Sequence, residues 1–489
     1  VAGPLAALGL FWLLPGSYFD PGKEAVVPLT EAARATMAAM AWMAVWWLTE
    51  AVDIAATSLL PIVLFPLAGI ASIEQATAPY ANSVIYLFLG SFVVALSMQR
   101  WGLDRRLALH ILRLVGTRPA NMIGGFMIAT AALSAFVSNT ATAAMMLPIA
   151  VSVVAVAHQR AGAEETTRQR NFSPALMLSI AYAASIGGLA TIVGTPPNLF
   201  LVGFLHKSRG LEVSFASWLK IGLPVVAVLL PATWWLLTRL LYPVERRPVP
   251  GASEALRKAL SELGPMARGE RATLAVFLAT AAAWISRPLI SEWTLFGARP
   301  LARLSDTGIA VAAALALFLI PVDRKSGTRA MDWKAAEKLP WGVLVLFGGG
   351  LSLATAIQNQ GVAEFLGAQA HALASWPELA IVLLVTTTTI FLTELTSNTA
   401  TAAALVPILS ALAPGLGVPE MHLVVPATLA ASCAFMLPVA TPPNAIVFGS
   451  GQVSQGQMAR AGFWLNLLAI LPITALAWVG IASTALAGK

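Results

Sequence analysis

Apolar stretches of membrane-spanning length alternate along this chain with short polar connections. They run over 1–15, 35–49, 54–70, 83–100, 120–156, 174–205, 217–242, 272–290, 305–321, 340–357, 378–413, 421–449 and 461–487. About 20 apolar residues in helical form cross a bilayer, so most of these stretches predict single transmembrane helices. Two of them, 120–156 and 378–413, are too long for one crossing and carry polar residues at their centres, at 138–140 and 397–399. They predict re-entrant hairpins. The stretches 174–205 and 421–449 are interrupted near 194–198 and 440–444 by adjacent prolines, which block a continuous helix. Broken backbone survives at membrane depth only where protein or a water-filled cavity covers it. Segments 104–115 and 362–374 gather Leu107, Ile111, Leu114 and Val115, and Val362, Phe365 and Leu366, on one face each. That pattern predicts helices lying along the membrane surface.

The two halves repeat. Phe88, Gly90, Gln99 and Gly102 match Phe347, Gly349, Gln358 and Gly361 at an offset of 259, and Ser138-Asn139-Thr140-Ala141-Thr142 matches Ser397-Asn398-Thr399-Ala400-Thr401 at the same offset. Thr195-Pro196-Pro197-Asn198 matches Thr441-Pro442-Pro443-Asn444 at an offset of 246. Two copies with one order of features are the trace of a duplicated transporter fold.

Composition narrows the class. Of 489 residues, 58% are apolar and 11% charged, with a mean hydropathy of +0.77. A soluble domain has about 25% charged residues, so an ordinary cytosolic enzyme, a disordered chain and a nucleic-acid binder are all excluded. The net charge of +7 sits in the loops. Loops 100–118, 158–172, 243–271 and 321–340 together with Arg460 hold twenty Lys and Arg, whereas 16–34, 68–82, 206–220, 287–303 and 358–378 hold eight. The richer set is cytoplasmic by the orientation rule. The first hairpin then enters from inside and the second from outside. The predicted fold is an all-α polytopic membrane protein with an inverted repeat, about 11 crossings and two re-entrant hairpins. Its N-terminus is cytoplasmic. The first repeat covers 1–242 with the N-terminal helix, a cytoplasmic linker covers 243–271, and the second repeat covers 272–489.

The chemistry concentrates in the repeated motifs. Helix N-termini at hairpin tips hold anions. Unwound carbonyls hold hard cations. Interhelical glue by Ser, Thr and Asn would account for one polar trio, but it accounts poorly for two trios, each followed by a Pro-Pro break. None of the four motifs contains Lys, Arg or His. A dianion bound there lacks a side-chain counter-charge, which bound cations would supply. Glu394, an intramembrane carboxylate, could tune a cation site, carry a proton or pair with neighbouring backbone. Glu50 and Asp53 read as helix-end caps. His110, His158, His206, His371 and His422 show no metal-ligand spacing. The single Cys433 is uninformative about redox compartment, and tryptophans such as Trp46, Trp47, Trp234 and Trp235 read as interfacial anchors. No paired carboxylates, metal set or activated nucleophile suggests an enzyme. An anion channel would need a continuous pore, which inverted hairpins with occluding tips argue against.

The paired Ser-Asn-Thr motifs, the paired Pro-Pro-Asn breaks and their order resemble the divalent anion/sodium symporters over essentially the whole chain. The resemblance implies a bacterial inner-membrane homodimer in which each protomer has a scaffold and a transport domain moving as an elevator. It implies sodium as the co-transported ion, no organic cofactor, and a small dicarboxylate substrate of the succinate, malate or fumarate class. Citrate, sulfate and sodium-independent exchange occur among relatives. It further implies one cation site at Ser134, Ser138, Asn139 and the Gly194 carbonyl. A second would use Thr393, Ser397, Asn398 and the Thr396 and Ala440 carbonyls. Asn139, Thr140, Asn398 and Thr399 would meet the anion, with Thr195, Pro196, Thr441 and Pro442 lining the pocket.

Overall fold

A computed structural model describes residues 1–161, 166–249, 251–294 and 298–478. The end of the last predicted span, 479–487, and parts of the loops 158–172, 243–271 and 287–303 lie outside the described residues.

The chain is mostly helical. Before residue 243 come α1 (Ala2–Leu13), α2 (Glu31–Thr49), α3 (Ile54–Leu67), α4 (Ser83–Arg100), α5 (Leu103–Val115), α6 (Pro119–Ser134), α7 (Asn139–Ala161), α8 (Phe172–Gly188), α9 (Pro196–Arg209) and α10 (Phe215–Trp235). After α11 (Ala252–Glu262) come α12 (Arg268–Ile290), α13 (Asp306–Leu319), α14 (Trp341–Asn359), α15 (Val362–Ala370), α16 (Glu378–Thr393), α17 (Asn398–Leu416), α18 (Met421–Ala431), α19 (Pro442–Gly449) and α20 (Gln455–Trp478). Among the described residues, seven helices are long and apolar enough to cross a membrane, or eight if Val362–Leu373 and Glu378–Thr393, bent by 116°, form one span. Other apolar helices, such as α6 and α18, are shorter.

The all-α expectation needs correction in two loops. Ser17–Asp20 pairs antiparallel with Ala25–Pro28, and Pro321–Asp323 with Thr328–Arg329. The first turn is organised by Asp20, whose carboxylate accepts from Gly22 N. The second is organised by Asp323, which accepts from Lys325 N and Ser326 Oγ.

The breaks also fall earlier than the prolines suggested. α8 ends at Gly188 and α18 at Ala431, while Pro196-Pro197 and Pro442-Pro443 open α9 and α19. At a helix start the N–H is unpaired in any case, and the proline φ suits the first turn. The unwound segments are therefore 189–195 and 432–441.

The helix expected at 104–115 is present as α5, but it turns Leu103, Ala108, Leu109 and Leu112 into the protein and leaves Leu114 exposed. α11, inside the expected linker, packs on α5. Arg106 of α5 meets Glu270 of α12 at 2.8 Å and also donates to the Gly264 carbonyl. Trp47 is fully buried, donating to Ser58 Oγ at 3.0 Å, rather than anchoring at an interface. Asp53 caps the start of α3 through Ala55 N, as expected of it.

α15 lies against α17 at a crossing where Gly415 meets the backbone of Gly367. A Cβ on Gly415 would stand 1.7 Å from the Gly367 carbonyl oxygen, so the helices must part to admit one. Gly415→Ala is expected to cost about 1–3 kcal/mol of stability. A lower denaturation midpoint in detergent checks this, and an unchanged midpoint contradicts it.

Candidate functional site

The four repeated motifs converge. A cavity of about 980 Å³ is lined by Ser138, Asn139 and Thr140, by Gly194, Thr195 and Pro196, by Thr396, Ser397, Asn398 and Thr399, and by Ala440, Thr441 and Pro442. Every residue proposed from sequence to meet the anion lines this one space. Ser134 and Thr393 lie just behind the wall, fully buried. The opposite wall comes from the ends of α2, α4 and the loop before α14, including Glu50, Gln99 and Lys338. Glu50 and Lys338 are the charged residues among the lining set. Glu50 is in the left-handed conformation (φ 48°) that ends α2. The Lys338 segment is held by Asp332, which caps a helical turn through Ala335 N and pairs with Arg100 at 2.6 Å. The Ala335 N–H, then the Arg100 guanidinium, hold the Asp332 carboxyl below its ordinary pKa.

Four helices begin at the cavity wall: α7 at Asn139, α9 at Pro196, α17 at Asn398 and α19 at Pro442. Each brings the positive end of its dipole and unpaired first-turn groups. The Pro-Pro starts contribute dipole but lack the first two N–H donors, so the starts of α7 and α17 carry the fuller set of first-turn peptide donors at the cavity wall.

Behind the trios lie two matching oxygen clusters. Ser134 Oγ is 2.6 Å from Asn139 Oδ1 and 2.7 Å from the Ala184 carbonyl. Thr393 Oγ1 is 2.8 Å from both Asn398 Oδ1 and the Ala431 carbonyl. In each cluster one hydroxyl proton is shared between two acceptor oxygens, so lone pairs on the three oxygens are left over. Oxygens in that proportion suit a hard cation. Gly194 completes the first cluster's surroundings: its Cβ would sit 2.4 Å from the Gly188 carbonyl oxygen, and one on Gly188 would sit 2.8 Å from Asn139 Oδ1. Only a bare backbone lets the break come this close to the Asn139 amide.

The asparagines after the prolines hold the breaks in shape. Asn198 Nδ2 donates to the Gly188 (3.2 Å) and Thr191 (2.9 Å) carbonyls, and Asn444 Nδ2 to the Ala434 (3.2 Å) and Leu437 (3.0 Å) carbonyls. All three pairs of positions keep the offset of 246. The two breaks also meet across the repeats, with Thr195 Oγ1 3.4 Å from Ser432 Oγ. Glu394 pairs with backbone, one of the options read from sequence: Phe435 N, Met436 N and Leu437 N all donate to it, as does Asn466 Nδ2. Sequence reasoning assigned no role to Asn198, Asn444, Asn466 or Lys338. The first two stood inside the repeated motif; nothing in the sequence marked the others. Among the described residues, no group of three or more His, Cys, Asp or Glu is placed to hold a metal ion.

The solved structures most like this chain include a crystal structure of the Alcanivorax borkumensis YdaH transporter, 15% identical, with a TM-score of 0.61 over 100% of this chain and 98% of that one. Neisseria gonorrhoeae MtrF is 10% identical, with a TM-score of 0.56 over 98% and 92%. At these identities the likeness concerns the fold alone. In sequence, the chain is 45% identical over 435 residues to the sodium-dependent dicarboxylate transporter SdcS of Staphylococcus saprophyticus, covering 88% of this chain and 83% of that protein. It is 44% identical over 436 residues to SdcS of Staphylococcus aureus, with the same coverage. The family described as the sodium:sulfate symporter transmembrane region matches residues 10–483. The paired trios and paired Pro-Pro-Asn breaks thus sit in a chain that belongs to the divalent anion/sodium symporter family.

Proposed function

We propose that this protein is a secondary active transporter that couples sodium to the movement of a small dicarboxylate of the succinate, malate or fumarate class. The observation that carries this is the duplicated oxygen cluster behind each Ser-Asn-Thr trio, both opening on one cavity into which four helix N-termini point. Ser134, Ser138, Asn139 and the Gly194 carbonyl form the first sodium site in this reading. Thr393, Ser397, Asn398 and the Thr396 and Ala440 carbonyls form the second. Asn139, Thr140, Asn398 and Thr399 take the carboxylates, and Thr195, Pro196, Thr441 and Pro442 shape the pocket. The motifs hold no basic side chain, so sodium supplies the charge that offsets the dianion.

The reading extends to architecture. Two inverted repeats, 1–242 and 272–489, are joined by the cytoplasmic segment 243–271. The pairs α6–α7 and α16–α17 act as re-entrant hairpins among about 11 crossings. The motif-bearing helices form a transport domain that slides past a scaffold as an elevator, in a homodimer in a bacterial inner membrane with a cytoplasmic N-terminus. The cavity's other wall carries Lys338, from a loop of the Lys- and Arg-rich set, which corresponds to an inward-open state. The first tip supports this orientation: Phe136 packs on Phe277 of α12, whereas its second-repeat counterpart Leu395 is 73% exposed in the cavity.

Uptake into proteoliposomes tests the function. Labelled succinate is expected to accumulate against its gradient when sodium is high outside, and to stop when choline replaces sodium. Equal uptake in choline would support sodium-independent exchange, and faster uptake of sulfate or citrate would change the substrate class.

A further inference from the structure

The two breaks are not equivalent, and the difference is a buried carboxylate. In the first repeat the helix runs on to Gly188, and Leu189 N and Ala190 N bond back to the Ile186 and Gly187 carbonyls, both at 3.1 Å. The second-repeat helix stops at Ala431, three positions earlier by the 246-residue offset. The counterparts of those N–H groups, on Phe435 and Met436, together with Leu437, then lack helical acceptors. They turn to Glu394 instead, at 2.6, 3.0 and 3.2 Å. The position matching Glu394 in the first repeat is Ala135. There the tie runs the other way, with Thr191 Oγ1 donating to the Ala135 carbonyl. Asn466 of α20 closes the ring around the carboxylate at 2.8 Å. Glu394 is 3% exposed. Successive backbone N–H groups around one anion form a nest, and here the anion is the protein's own.

We infer that Glu394, braced by Asn466, is the positioning residue of the second sodium site alone. The connection is short. Thr393, its neighbour, supplies the hydroxyl of the second oxygen cluster. On the other side, Leu437 N donates to Glu394 while the Leu437 carbonyl accepts from Ala440 N (3.2 Å) and Asn444 Nδ2 (3.0 Å). One carboxylate therefore braces both the hydroxyl's neighbour and, through the single residue Leu437, the Ala440 segment whose carbonyl is assigned to the second cation. The first site has the matching Gly194 N to Thr191 carbonyl contact (3.4 Å) without any carboxylate behind it. Unfastening residues 435–437 should leave the second cation with misplaced oxygens and the first cation undisturbed.

The inference rests on the sodium-coupled reading. Its test is the sodium dependence of Glu394→Gln, Glu394→Asp and Asn466→Ala in proteoliposomes, with sodium-dependent thermal shift of the purified proteins as a binding readout. Hydrogen bonds to a charged group are stronger than those to a neutral one, so half-saturating sodium is expected to rise about tenfold in Glu394→Gln. The sodium Hill coefficient should fall, and both succinate KM and maximal rate at saturating sodium should stay within about twofold. Asn466→Ala, which keeps the three backbone donors, should give a smaller rise, and Glu394→Asp should recover part of the loss. The thermal shift should need more sodium in the same order. If Glu394→Gln does not fold, the shift in Asn466→Ala decides. A sodium curve like that of the unaltered protein, with only the melting temperature lowered, overturns the inference and leaves a merely structural carboxylate. Sodium-independent uptake by the unaltered protein would instead overturn the functional reading itself.

Discussion

Asn139→Ala and Asn398→Ala are each expected to abolish sodium-driven succinate uptake while leaving the protein folded. Each amide oxygen stands 2.6–2.8 Å from the hydroxyl of its own oxygen cluster, and each amide also lines the anion cavity. In the proposed site, one truncation therefore removes a cation ligand and an anion contact together. Two charge-assisted contacts at about 1.5–3 kcal/mol each amount to at least about a hundredfold in the concentrations needed for transport. The fold should tolerate the change, because both residues open helices at a cavity wall and neither is fully buried. The measurement is initial uptake rate in proteoliposomes, beside size-exclusion profile and melting temperature for folding. Near-normal transport by either variant would remove that asparagine from the site, and loss of both uptake and folding would mark it as structural.

Much of this site was legible because its signals are local. A polar trio inside a long apolar stretch, or two prolines in a row, stands out without any knowledge of partners, and repetition at fixed offsets ties the copies together. The extent of the breaks was less legible. Prolines mark where a helix cannot continue, but they are equally at home at a helix start, and Pro196 and Pro442 open α9 and α19 rather than ending the helices before them. The true ends at Gly188 and Ala431 go with contacts that no periodicity reports: Asn198 Nδ2 holds the Gly188 carbonyl, whereas Phe435 N and Met436 N beyond Ala431 turn to Glu394.

Contacts distant in sequence were the least legible. Glu394 could be singled out as a carboxylate in an apolar stretch, but its partners lie 41 to 72 residues further on. Lys338 looked like one of many loop cations, and only the fold brings its segment to the cavity wall. Strands of two to four residues, as in the 17–28 and 321–329 pairs, are too short for alternation to register. From sequence α11 falls inside a linker, because 243–271 holds Pro, Gly and six basic residues. Its apolar positions, Ala252 and Leu256, matter only once α5 lies opposite. Trp47 shows the same limit, since its anchor-like sequence context says nothing of Ser58 waiting beneath it.

Apparent succinate affinity is expected to fall about a hundredfold when sodium is replaced by choline, in keeping with couplings of 1–3 kcal/mol per effector when two cations act together. The cause is built into the cavity. In the proposed site Asn139 and Asn398 are shared between the oxygen clusters and the anion pocket, so a cation that draws their oxygens inward would also fix the trios proposed to meet the carboxylates. Without it, one hydroxyl proton is left to arrange three oxygens in each cluster, and a dianion enters a pocket whose motifs carry no positive side chain. The starts of α9 and α19 offer no proline N–H in compensation. Linkage requires the reverse effect of equal size, with succinate tightening sodium by the same factor. Isothermal titration of the purified protein with succinate in sodium and in choline measures the first factor, and titration with sodium with and without succinate measures the second. Equal anion affinity in the two salts would break the link between the clusters and the anion and leave exchange without sodium as the reading of this cavity. Because linkage holds wherever sodium binds, the two factors must agree once the binding of all coupled sodium ions is counted together.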